Sequence, residues 1–218
     1  MKSAIPAHVP GIIARRAVKC TIARPDEPAL VLPGYFAAIK TVAKLQSTGS
    51  FPFVTQSNIK QFFTLPDCDV RSGDVVCDVG RGVSWILYTD FSHSVSDVPA
   101  YAAFFALRAN VQDVQVTRYA GTPGPAGGIN KDRGPLIVCT IPAAHFYRPQ
   151  ESTSAISGGL KTERSDNFLV APRVRANNYS PLPAPGDLIT IASREYEFTG
   201  EDSADLEGIA VYRVHRVK

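Results

Sequence analysis

In several parts of the chain, hydrophobic residues fall on alternate positions. In the stretch Val111–Arg118, Val114 and Val116 alternate with Gln115 and Thr117, and in Glu195–Thr199 the aromatic pair Tyr196 and Phe198 shares one face. A period of two is that of a strand with one wet side. Short apolar runs at Asn58–Thr64, Asp74–Cys77, Ser84–Tyr88, Tyr101–Leu107, Leu136–Ile141, Asn167–Val170, Gly186–Ile191 and Ile209–Lys218 read as further strands. Turn-forming residues stand between them, at Pro66-Asp67, Gly80-Arg81-Gly82 and Ser193-Arg194. The glycine-flanked turn at 80–82 predicts a β-hairpin. One segment departs from the pattern. From Tyr35 to Gln46, the residues Phe36, Ile39, Lys40, Ala43 and Leu45 follow a loosely helical spacing that stops before Ser47-Thr48-Gly49, which predicts a single amphipathic helix.

These elements predict a mainly β protein of two small antiparallel barrel or sandwich modules, with one short helix and long loops. Residues 1–33 read as an extended arm, with Ala17–Ala23 as a short strand inside it. The first β module then covers 34–120. Gly121-Thr122-Pro123-Gly124-Pro125-Ala126-Gly127-Gly128 propagates neither helix nor strand, because proline removes donors and glycine adds backbone freedom. It anchors a Gly/Pro linker over 121–135. The second module spans 136–218 and carries a small-residue loop at 152–163 that is expected to be mobile.

A faint echo links the modules. Ser72-Gly73-Asp74-Val75-Val76 and Pro185-Gly186-Asp187-Leu188-Ile189 both place Gly-Asp before an apolar strand, and each is followed by a hairpin partner containing an aromatic. Val116–Arg118 and Val211–Arg213 then read as the matching ends of the two series. An old duplication and the mere frequency of Gly-Asp in turns both account for this. A turn aspartate holds its own loop by accepting backbone N–H bonds, so Asp74 and Asp187 need no catalytic role.

Composition narrows the class of protein. With 17 Pro, 16 Gly and one Met in 218 residues, the chain suits many short strands. A hydrophobic share of 44% with 20% charged residues is ordinary for a folded domain, and a net charge of +3 is too small to require a nucleic-acid or membrane partner. Cys20, Cys68, Cys77 and Cys139 contain no CxxC pair, so they read as reduced thiols rather than a zinc or redox motif. No apolar run has the length of a membrane span, and the basic start around Arg15, Arg16 and Lys19 is not followed by the apolar stretch of a secretory signal.

Candidate chemistry is sparse. His8, His93, His145 and His215 form no metal or catalytic spacing, and Cys139 and His145 are separated by a strand and a Pro-Ala-Ala turn. The glycines of 121–128 lack the strand-loop-helix context of a phosphate cradle. The sequence therefore reads as a non-enzyme without cofactors. Among basic clusters, Tyr212, Arg213, His215, Arg216 and Lys218 is the densest, but strand alternation sends Arg213 and His215 to one face and Arg216 and Lys218 to the other. A β-barrel nucleic-acid-binding protein is the alternative reading, and a tail-hub or baseplate component is a third.

The stretch from Pro185-Gly186-Asp187-Leu188-Ile189 through Arg194-Glu195-Tyr196-Glu197-Phe198-Thr199-Gly200 to Tyr212-Arg213-Val214 resembles head-closure and head-tail joining proteins of tailed bacteriophages. Gly73-Asp74-Val75-Val76, Trp85-Ile86-Leu87 and Val114–Arg118 are similar to strand patterns of phage virion proteins. The resemblance covers about a fifth of the chain, and two modules plus a helix depart from it. It implies a β barrel that assembles as a ring below the portal, with copies of itself, portal or adaptor proteins and tail proteins as partners, packaged DNA passing through the channel, and no membrane. It implies a virion location after synthesis in the host cytoplasm. Within such a ring, the basic residues Arg15, Arg16 and Lys19 are expected to meet the acidic residues Glu201, Asp202, Asp205 and Glu207 of a neighbouring subunit.

Overall fold

The computed structural model describes residues 9–24, 27–39, 57–95, 98–119, 135–148, 153–156, 159–162, 167–173, 183–202 and 207–217. Their contacts divide the chain into two compact units. One gathers Met1–Ala109 with Pro172–Ala176 and Asp205–Ile209, and the other gathers Asn110–Ala171, Asn177–Ala204 and Ala210–Lys218.

The first unit opens with helix α1 (Val9–Arg16), followed by strands β1 (Val18–Ile22), β2 (Leu30–Ala38), β3 (Ile59–Thr64), β4 (Val75–Asp78), β5 (Val83–Asp90), β6 (His93–Val95) and β7 (Val98–Arg108). Six of the strands run in the order β3-β2-β1-β4-β5-β7, and β3 pairs with β7 to close a barrel, while β6 adds to β7 outside it. Alternation sends Cys20, Ile22, Leu32, Phe62, Val76, Trp85, Leu87, Phe104 and Ala106 into one core. Gly34 is required there, since a Cβ at that position would run into the Phe62 ring and lie 2.7 Å from Cys20 Sγ. On the outside, α1 buries Ile13 against Tyr101 and Ala103.

The second unit contains β8 (Val111–Tyr119), β9 (Pro135–Tyr147), β10 (Thr153–Ile156), β11 (Gly159–Thr162), β12 (Asn167–Pro172), β13 (Leu188–Ile191), β14 (Arg194–Asp202) and β15 (Ile209–Arg216). A second closed barrel runs β12-β15-β14-β13-β8-β9, with β12 returning to pair with β9. Val114, Val116, Ile141, Leu169, Ile189, Tyr196, Phe198, Tyr212 and Val214 fill it.

The mainly β, two-barrel expectation holds, and both barrels have the same connectivity. Numbered along the chain, the six barrel strands are β1, β2, β3, β4, β5, β7 in one and β8, β9, β12, β13, β14, β15 in the other. In each, the first strand lies between the second and fourth, and the third pairs with the second and closes onto the sixth.

Four expectations are corrected. Residues 9–33 are not an extended arm but supply α1, β1 and the start of β2, because the apolar positions of 18–22 and 30–38 pair as a hairpin. The helix expected over 35–46 is replaced at Tyr35–Ala38 by the end of β2, which pairs with β3, and residues 40–46 lie outside the described residues. Strand β8, expected to close the first module, is the first strand of the second barrel, and most of the 121–135 linker lies outside the described residues. The loop at 152–163 contains an antiparallel ribbon, with Thr153 opposite Thr162 and Ile156 opposite Gly159.

Candidate functional site

Both Gly-Asp turns are built alike. Gly73 and Gly186 take φ values of +95° and +91°, a region that side chains rarely adopt. The Gly73 and Gly186 N–H groups donate to Leu87 O at 2.7 Å and Phe198 O at 2.8 Å, and the N–H groups of those residues donate back to Asp74 O at 2.9 Å and Asp187 O at 2.8 Å. Each carboxylate bridges its own turn: the Arg71 and Ala184 N–H groups donate to Asp74 Oδ2 and Asp187 Oδ2, both at 2.8 Å. This is the turn-holding role expected for the two aspartates.

Each carboxylate also receives a forked arginine from the end of the first strand of its barrel or just beyond it. Arg24, two residues beyond Ile22 of β1, donates from Nε and Nη2 to Asp74 Oδ1 and Oδ2 at 2.8 and 2.7 Å. Arg118, two residues beyond Val116 of β8, donates in the same way to Asp187 at 2.6 and 2.8 Å. The registers agree, since Ile22 faces Val76 and Val116 faces Ile189. The counterpart of Val116–Arg118 is thus Ile22–Arg24, not Val211–Arg213 as the sequence echo implied.

The environments differ. The Arg24 side chain is 7% exposed and also reaches Glu27 at 2.9 Å and Asp69 at 2.8 Å, whereas Arg118 is 42% exposed. The Asp74 bonds, followed by those from Glu27 and Asp69, raise the affinity of Arg24 for its proton, and Asp187 does the same for Arg118. Arg71, then Arg24, holds the Asp69 carboxyl below its ordinary range. Burial and then Asp187 raise the Cys139 thiol.

A second repeated feature lies at the other end of each barrel. Trp85, third residue of β5, faces Arg108, and Tyr196, third residue of β14, faces Arg216. Each aromatic has a phenylalanine from the second strand beside it, Phe36 at 5.2 Å from Trp85 and Phe146 at 4.9 Å from Tyr196. In the first barrel a lysine covers the pair: Lys60 Nζ lies 4.9 Å from the Trp85 ring and 5.9 Å from Phe36. Burial, then Arg81, pushes the Lys60 ammonium below its ordinary pKa. Arg81 sits in the β4–β5 turn, 66% exposed, with Nη1 at 3.8 Å from the buried Asp78. The signal for this cluster was a lysine two residues from Phe62 on the inward face of β3.

The expected inter-subunit residues occupy two kinds of place. Arg15 and Arg16 end α1 and are exposed, with Arg15 Nε donating to Gly11 O at 3.1 Å, and Lys19 is exposed on β1. Glu201 is exposed on β14, Asp202 ends that strand, Glu207 is exposed, and Asp205 lies outside the described residues. The basic cluster of the last strand splits as expected: Arg213 and His215 lie on the outer face, while Arg216 shares the face of Tyr212 and Val214, opposite the core residue Tyr196, and is exposed at the strand end. Lys218 lies outside the described residues. His93 belongs to β6.

Among the described residues, no group of three or more His, Cys, Asp and Glu side chains is placed to hold a metal ion. No helix there is long and apolar enough to cross a membrane. No protein-family model, curated protein or solved structure matches this chain.

Proposed function

We propose that this chain is a structural virion protein of a tailed-phage neck, forming a ring that joins head to tail and helps retain packaged DNA. The observation that carries the reading is how buried charge is used. Asp74 and Asp187 are 2% and 1% exposed, and both oxygens of each accept from a forked arginine, with a turn N–H in addition. Carboxylates so occupied hold a scaffold in shape and leave little room for a reacting group. The stretch that resembles head-closure proteins, Pro185–Val214, contains β13, β14 and most of β15 together with the aspartate of one of these clasps, Asp187.

In this reading, Arg15, Arg16 and Lys19 of one subunit face Glu201, Asp202, Asp205 and Glu207 of the next. Such a contact joins two different patches and is heterologous, the kind that closes into a ring when the rotation between neighbours allows it. The partners are further copies of this chain and the portal-side and tail-side proteins of the virion.

Quantitative mass spectrometry of purified phage particles from the source tests the proposal. A low, fixed ratio of this chain to the major capsid protein is the expected result, and absence from the particles overturns it. Charge reversal at Arg15 and Arg16 that leaves assembly unchanged counts against the inter-subunit contact.

A further inference from the structure

We propose that the open edge of β9, from Leu136 to Ile141, is a pairing surface for a second copy of this chain, the two edges running antiparallel across a twofold axis. The inference goes beyond the neck reading and does not depend on it.

Strand β9 is paired along most of one side and little of the other. It runs for 13 residues, and β8 lies along it from Tyr119 opposite Pro135 to Val111 opposite Ala144. On the far side, among the described residues, β12 meets it only from His145 to Tyr147, and the β10–β11 ribbon pairs within itself. The backbone groups of Leu136–Ile141 that point away from β8 thus face no strand among the described residues. Leu136 and Ile137 are 60% and 61% exposed, and as neighbours in a strand they point to opposite faces. The ribbon is therefore wet on both faces at this point while its side chains are apolar. An extended, apolar, unpaired edge is a template to which another strand adds.

The edge is suited to its own copy. No Asp, Glu, Lys or Arg occurs from Pro135 to Tyr147, so laying β9 along itself sets no like charges opposite each other, and the charges that ordinarily guard an open edge are missing. Burial, then Asp187, keeps the Cys139 thiol protonated and so uncharged. Pro135 and Pro142 bound the edge, since neither has an N–H to donate, and the six residues between them match the same six of a second copy, Leu136–Val138 beside Cys139–Ile141. The corresponding edge of the first barrel is a poorer partner: before β2 pairs with β3 it spans only Leu30–Pro33, and Pro33 O there already accepts from Thr64 Oγ1 at 2.8 Å. A strand paired antiparallel with its own copy makes an isologous contact that stops at two chains. Six strand residues from each chain bury less than the roughly 1,200 Å² of a stable interface, so the pairing is weak and concentration-dependent.

Sedimentation velocity of the full chain over about a hundredfold range of concentration tests this, with hydrogen exchange at both extremes. The expected result is a monomer–dimer equilibrium with no larger species, and slowed exchange at high concentration in Leu136–Ile141. I137K sets a charge against its own copy and is expected to weaken the dimer at least tenfold, whereas V31K, at a residue of similar exposure on β2, leaves it unchanged. Both substitutions are at exposed positions, and circular dichroism checks each fold. A monomer at every concentration, growth beyond the dimer, or an unchanged dimer in folded I137K overturns the proposal. A dimer that V31K weakens equally, or that forms without slowed exchange in Leu136–Ile141, overturns the assignment to this edge. The presence or absence of the chain in phage particles bears on the neck reading alone.

Discussion

Asp74 and Asp187 are structural counterparts: each follows a glycine of positive φ, accepts from the backbone N–H three residues earlier, and receives both arms of an arginine at or just past the end of the first strand of its barrel. Two short loops that resemble each other in four residues are therefore the same device in three dimensions. The partners are 50 and 69 residues away in sequence, so each clasp ties a turn to a distant strand end and favours one register of the barrel.

The two clasps are expected to differ in strength. Asp74→Ala leaves Arg24, 7% exposed, without its forked partner, and should destabilise the protein by about 3–5 kcal/mol. Asp187→Ala leaves Arg118, 42% exposed and open to water, and should cost about 1–3 kcal/mol. Denaturant unfolding of both variants checks the order.

The glycines before them give a paired test of strain against crowding. At Gly186 an added Cβ meets nothing within 4 Å among the described residues, so Gly186→Ala should cost only the backbone strain of positive φ, about 1–2 kcal/mol. At Gly73 the same Cβ lies 2.6 Å from Arg173 O, and backbone has little room to give. Gly73→Ala should therefore cost at least about 1 kcal/mol more, measured by the same unfolding curves.

Cys20 sets a pH dependence in the alkaline range. Burial, then Asp78 and Cys77, push its thiol from 9.0 up to about 12. The folded state keeps the proton where the unfolded chain has lost it, so stability is full below pH 9.0 and falls as pH rises toward about 12. The limiting slope is about 1.4 kcal/mol per pH unit. Cys20→Ala should flatten that fall, and in the parent protein Cys20 should resist alkylation at pH 8 until the chain is unfolded.

Much of the strand content was legible because alternation is local. Tyr196 and Phe198 could be assigned to one face from five residues, and both lie in the core. Strand β2 was missed because Pro33-Gly34 reads as a break, yet Gly34 is there to admit the Phe62 ring and Cys20. Strand β8 was given to the wrong module because glycine and proline density marks loops, while membership of a barrel depends on pairing with β13, about 70 residues on. The Gly-Asp turns and Val116–Arg118 were visible, but the pairing of Arg24 and Arg118 with the two aspartates was not, since neither arginine lies near its partner in sequence. Lys60 was passed over for a similar reason: whether a lysine faces inward is fixed by the register of β3 with β2 and β7, not by its immediate neighbours.

The most direct test of the claim that each barrel is held by its own copy of the same clasp is a pair of double-mutant cycles, Arg24→Met with Asp74→Asn and Arg118→Met with Asp187→Asn, read by denaturant unfolding. Coupling energies of about 1–3 kcal/mol in both cycles, larger in the first barrel, are the predicted result. Coupling within about 0.3 kcal/mol of zero in both would contradict it.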